Sequence, residues 1–167
     1  MDIVSHGLWG GVAFGRKSRK DYLLAFLFGI MPDMFSFGIL FTTNLLGITV
    51  GPKYSNGRPD FASIPEYVSQ LYDVTHSLVV FALVFAIVWY WRKKPFWPLA
   101  AWGLHILVDI PTHSLEFFAT PFLWPFSNYR FDGINWGNPW IFFPNVALLV
   151  VAYSAWLIAR LKKRKGK

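Results

Sequence analysis

Apolar stretches near the twenty residues that a helix needs to cross a hydrocarbon core recur four times in this chain, which leaves few folds open other than a membrane-embedded helical one. They run roughly over 21–46 ("DYLLAFLFGIMPDMFSFGILFTTNLL"), 75–92 ("THSLVVFALVFAIVWYWR"), 95–118 ("PFWPLAAWGLHILVDIPTHSLEFF") and 139–161 ("PWIFFPNVALLVVAYSAWLIARL"). The composition agrees: 54% hydrophobic, 20% aromatic and only 15% charged is far too apolar for a soluble domain of 167 residues. The absence of cysteine excludes a disulfide framework, a thiolate metal site and a cysteine nucleophile.

The net charge is +7, and the placement of the basic residues is more telling than their number. Arg16, Lys17, Arg19 and Lys20 precede the first stretch, and Arg92, Lys93 and Lys94 join the second to the third. Arg160, Lys162, Lys163, Arg164, Lys165 and Lys167 follow the fourth, so thirteen of the sixteen basic residues share one face. Only Lys53, Arg58 and Arg130 fall on the other. Positive residues near span ends stay in the cytoplasm. This predicts a multi-pass protein of the cell (inner, cytoplasmic) membrane, with the N-terminal basic run and the C-terminal tail on the cytoplasmic side. The tail reads as a topology determinant touching anionic lipid, so membrane lipid is the expected partner and nucleic acid is not.

Residues 1–15, "MDIVSHGLWGGVAFG", have no basic region ahead of their apolar part and do not read as a cleaved signal peptide. Too short to span and rich in glycine, they are expected to dip into the bundle as a half-helix or re-entrant segment. The expected fold class is an all-α integral membrane protein: four transmembrane helices plus this segment, forming one embedded domain over 1–167. Loops 47–74 and 119–138 fall outside, the second as an ordered aromatic cap.

All four histidines, His6, His76, His105 and His113, lie in or beside apolar segments, together with Asp33 and Asp109. A charge at the bilayer centre costs at least a few kcal/mol, so such residues face the bundle interior and have a purpose. His105, Asp109 and His113 step four residues at a time along one broad helix face. Counted from the cytoplasmic end, His105 lies about 15 Å deep, Asp109 about 21 Å and Asp33 about 18 Å. Imidazoles and carboxylates without thiolate suit Zn²⁺, Mn²⁺ or Fe²⁺. Each residue also has a purely structural reading: His6 as packing in a glycine-rich turn, His76 as a helix start capped by Thr75, Asp33 as the cap of a broken helix, and His105 with Asp109 as a hydrogen-bonded pair. Six unsatisfied buried groups at once would be costly, which favours the metal reading.

The ordered series "SHGLWG", "GIMPDMF", "YDVTHSLV", "HILVDIPTHS" and "TPFLWPFS" resembles the YdjM-like family of small membrane-bound metal-dependent hydrolases, a family regarded as distantly similar to zinc-dependent phospholipase C and P1-type nucleases. The resemblance covers most of the chain. It implies His6, Asp33, His76, His105 and Asp109 as ligands, with Asp109 able to bridge two metals and His113 as a further ligand or a supporting group. This chain carries Leu71 and Tyr72 where many members have another histidine before Thr-His-Ser, which implies one or two metal ions and not three.

Together these features lead to the expectation of a divalent-metal hydrolase, of zinc or else manganese or iron, acting on a phosphoester in a lipid or lipid-linked substrate, with its site in the outer half of the bilayer. Asp33 and Asp109 are the candidate catalytic carboxylates, Asp33 as the base, and Arg130 is the candidate phosphate anchor. Glu116 is placed to support His113. A metal or proton relay through the same residues, bis-histidine haem ligation by His76 and His105, and a non-catalytic membrane protein are the alternatives.

Overall fold

The computed structural model of the chain describes residues 1–55, 58–60 and 63–165. Lys167, counted above with the basic tail, lies outside them.

The first helix, α1 (Ile3–Phe14), starts where the Asp2 side chain accepts from the Ser5 amide at 2.9 Å. It ends at Gly15, whose amide donates to the Gly11 carbonyl. Ser18 then caps α2 (Arg19–Asp33) by accepting from the Asp21 amide. Glycine lets α1 and α2 approach closely: a Cβ on Gly29 would fall 2.6 Å from the His6 carbonyl oxygen, and one on Gly10 2.6 Å from that of Ala25. Small residues serve this purpose in membrane helix pairs.

Pro32 has no amide to complete the α-helical ladder. The chain continues through a π-helical turn, Met34–Gly38, into α3 (Ile39–Leu45), and the Ser36 hydroxyl donates to the Pro32 carbonyl at 2.9 Å. Asp33 therefore neither interrupts the span nor caps a broken helix. It is carried within a continuous one and is buried.

The segment 47–74 is not a loop throughout. Two-residue strands β1 (Tyr54–Ser55) and β2 (Arg58–Pro59) pair antiparallel, and Glu66–Thr75 forms helix α4. Val68, Tyr72 and Thr75 recur at helical spacing and are buried, while Ser69 and Gln70 are exposed. Three apolar-face positions in ten residues give a weak periodic signal. The break falls at His76, and Ser77 caps α5 (Leu78–Arg92) by accepting from the Val79 and Val80 amides. His76 thus closes one helix and does not open the next. α4 and α5 are bent by 55° at this point.

A 3₁₀ turn, Trp97–Leu99, leads into α6 (Ala100–Thr112), and α7 (Pro139–Lys165) ends the fold. Among the described residues the four expected spans become two or three. Arg19–Leu45 and Pro139–Lys163 are long and apolar enough to cross a membrane, and the bent pair α4–α5 would be a third if it counts as one span. The expected span over 95–118 fails on length. Proline-rich "PFWP" delays its start, His113 turns extended just after Pro111, and thirteen residues reach only about 20 Å.

α1 packs against α2 and α6, α2 against α6, and α7 against α1. Among the residues of α7 whose side chains are described, only Asn145 and Leu149 are buried, and no residue of α5 is. Both helices present apolar side chains outward, as lipid-facing helices do. The apolar core is split in two: Leu40, Val68, Tyr72 and Phe118 on one side, Leu99, Trp102 and Ile106 on the other. The polar groups gather between them.

Candidate metal centre

The structure brings all six candidate ligands into one buried cluster. Every one is at most 6% exposed. α2 delivers Asp33 next to its π turn, the α4–α5 break delivers His76, α6 delivers His105 and Asp109 one turn apart, and α1 delivers His6.

One ligand atom each from Asp33, His76, His105 and Asp109 lies within 4.8 Å of all the others. The Nε2 atoms of His76 and His105 are 3.0 Å apart. Asp109 Oδ2 stands 3.1 Å from His105 Nε2 and 3.6 Å from His76 Nε2, and Asp33 Oδ1 stands 3.9 and 3.5 Å from the same two atoms. A tetrahedral ion with bonds of about 2.0–2.1 Å spaces its ligand atoms about 3.3 Å apart. A haem plane does not fit between nitrogens at this separation.

The opposite nitrogens explain the inward aim. His105 Nδ1 donates to the Gly29 carbonyl at 2.7 Å, His76 Nδ1 to the Tyr72 carbonyl at 3.2 Å, and His113 Nδ1 to the Phe118 carbonyl at 3.0 Å. A carbonyl only accepts, so each Nδ1 carries the proton, and each ring in its neutral form turns a lone pair inward from Nε2. Two such lone pairs 3.0 Å apart repel unless a proton or a metal cation lies between them. Asp109 Oδ2 and His6 Nε2 are likewise buried without a hydrogen-bond partner. The donor set and these orphaned atoms fit a divalent cation.

A second group forms around the other oxygen of Asp109. His6 Nε2 is 2.9 Å and His113 Nε2 3.6 Å from Oδ1, and the Met1 amino group contacts the same oxygen. The His6 ring stacks on His105 with centroids 3.6 Å apart. The two carboxylate oxygens thus face two different pairs of imidazoles.

No family model, no curated protein and no solved structure matches this chain.

Arg130 is engaged at α4 and its own loop. Arg130 donates to Asp73 at 2.7 Å and to the Ala119 carbonyl at 3.2 Å, fastening the 119–138 loop to α4. The supporting place expected of Glu116 at His113 is filled by the Phe118 carbonyl and the Tyr72 hydroxyl, the latter 3.0 Å from Nδ1. Tyr72 also donates to Phe118 at 2.7 Å and stacks on His76 with centroids 3.7 Å apart. Phe118 itself is held at φ +50°, a left-handed backbone uncommon for a bulky side chain and kept here by these contacts.

Tyr72 is the residue sequence reasoning missed. It stands one turn before His76 in a segment expected to be loop. Once α4 is recognised, that i, i+4 spacing places its ring against the ligand.

The loop closes over this end of the bundle. Gly133 and Ile134 amides donate to the His113 and Pro111 carbonyls at 2.9 and 3.0 Å, and a Cβ on Gly133 would strike the Pro111 oxygen at 2.4 Å. The Ser77 hydroxyl donates to the Trp124 carbonyl, and the Leu78 amide to that of Phe122.

Proposed function

We propose that the protein is a membrane-embedded hydrolase that uses one or two divalent ions, zinc first among the candidates, to cleave a phosphoester in a lipid or lipid-linked substrate. One observation carries this reading: two carboxylates and two inward-facing imidazole nitrogens lie within one coordination sphere in a buried centre. Asp33, His76, His105 and Asp109 would hold one ion, and His6 and His113 a second that shares Asp109. A divalent cation held there supplies the electrostatic activation of water and of a phosphoryl oxygen that hydrolysis needs.

The chain's own residues do the rest. Asp33, the more peripheral carboxylate, accepts a proton from water when its second oxygen is free of the ion. Asp109 is held by the Met1 amino group and His6 at one oxygen and faces His105 and His76 with the other. Arg130 spends part of its guanidinium on Asp73, and its remaining N–H groups can meet a phosphate at the loop.

The orientation follows the basic residues. They gather at the ends of α1, α5 and α7 and the start of α2, and in about fourteen residues, roughly 21 Å, α2 climbs from Arg19 to the centre at Asp33. We place the basic end in the cytoplasm and the centre in the outer half of the cell membrane.

One observation favours the relay alternative. Asn145 donates to Ser5 and accepts from Trp9, while Tyr153 donates to the Leu8 carbonyl and pairs with Tyr22 near the basic end. An indole N–H only donates, however, so this series does not pass a proton through Trp9.

The test is hydrolysis of a panel of phosphomonoester and phosphodiester lipids by metal-loaded protein in nanodiscs, wild type beside Asp33→Asn. The reading predicts turnover with at least one headgroup and a loss of about 100-fold or more in the variant, the scale of a general base. Equal rates in the two proteins, or no turnover across the panel with metal bound, would contradict it.

A further inference from the structure

A cavity of about 360 Å³ opens beside the metal centre. Phe37 and Phe41, one turn apart across the π turn, form one wall, and Phe117 and Trp136 form another. Val4 of α1 stands at its edge, and two of the six candidate ligands, Asp33 and His113, reach the same space. Both ligands are 6% exposed, whereas Val4 is 60% and Phe41 56% exposed. The cavity therefore has a closed end at the ligands and an apolar mouth, and α2–α3, which carries Phe37 and Phe41, is long and apolar enough to cross a membrane. In a bilayer that mouth meets hydrocarbon, not water.

We infer that this cavity takes one hydrocarbon chain of the substrate, which makes the substrate a phosphoester lipid engaged through a single chain. Met1 and Asp2 also line the cavity at the ligand end, but towards the mouth the lining is Val4 and aromatic rings, where water finds few of the two to four polar partners it needs. At about 30 Å³ for a water-sized group, the volume takes roughly a dozen such groups, the content of one medium alkyl chain. The ligands at the closed end fix the polarity: the phosphoester lies at the metal, and the chain runs out past Phe37 and Phe41. The inference rests on the hydrolase reading for the identity of the headgroup. The chain site itself rests on the cavity.

The test uses dodecyl phosphate with a diazirine at the chain terminus, photolysed with the full-length protein in phosphatidylcholine nanodiscs, and label mapped by mass spectrometry. Two mouth variants, Val4→Trp and Phe41→Trp, change exposed positions, and each is first checked for wild-type helicity and metal content. The expected result is label on the segments 37–41 and 117–136, displaced by unlabelled dodecyl phosphate and reduced at least fivefold by each variant. Label spread over the outward faces of α5 and α7 and unchanged by the variants would overturn the inference. The two readings fail separately. Cavity labelling without metal binding or hydrolysis keeps the chain site and removes the hydrolase, and hydrolysis without cavity labelling does the reverse.

Discussion

His76, His105 and His113 each give one nitrogen to a backbone carbonyl; His76 and His105 turn the other to the centre, and that of His113 stands 3.1 Å from the Met1 amino group. The rings are thereby oriented before any ion arrives, and supports of this kind are typically worth 10- to 100-fold in metal affinity. Tyr72 is the support most easily tested. Tyr72→Phe keeps the ring stacked on His76 and removes the hydroxyl that meets His113 and Phe118. It should weaken metal binding by about tenfold in a chelator competition, with little change in far-UV dichroism. An unchanged affinity would show that the hydroxyl only packs. The six clustered residues were legible in the sequence because a polar side chain in an apolar segment is conspicuous by its cost. Tyr72 and Asn145 were not, since each takes its role from a partner distant in the chain: His113 for Tyr72, Ser5 and Trp9 for Asn145.

At the scale of the element, glycines and prolines decide where the ligands come to rest. Gly29 lets α1 close on α2 while its carbonyl receives His105, so one position couples helix packing to ligand aim. Gly29→Val should cost about 1–3 kcal/mol by overpacking, seen as a lower thermal transition, and should reduce metal content as well. A destabilised variant with full metal content would separate packing from aim. Gly133→Ala should loosen the loop at Pro111 and speed amide exchange at Gly133 and Ile134 relative to α2, since the new Cβ would overlap a carbonyl oxygen. Apolar length foretold α2–α3, α5 and α7. It overstated the third span, because summed hydropathy does not register that "PFWP" delays the helix and that the chain leaves it at His113. It also passed over α4, where the polar residues outnumber the buried ones.

The whole molecule encloses its histidine and aspartate cluster and turns many large apolar side chains outward. Leu83, Trp91, Phe143, Val151 and Leu157 are all more than half exposed, an arrangement suited to hydrocarbon surroundings. The basic residues cluster at one end of the helices and the ligands towards the other, so topology and site location are a single question. The chain has no cysteine of its own, which makes single-cysteine labelling clean. Ser18→Cys and Asn128→Cys should react from opposite sides of sealed inverted vesicles, Ser18→Cys from the cytoplasmic side. Labelling of both from one side would contradict the proposed orientation.

Metal content shows whether the buried carboxylates and imidazoles hold a divalent ion. Inductively coupled plasma mass spectrometry on protein in nanodiscs, after zinc or manganese is supplied and excess removed, should find about one or two ions per wild-type chain. His105→Ala and Asp109→Ala should lose them while keeping helicity. A folded wild-type protein that stays metal-free, or variants that retain the full stoichiometry, would contradict the account.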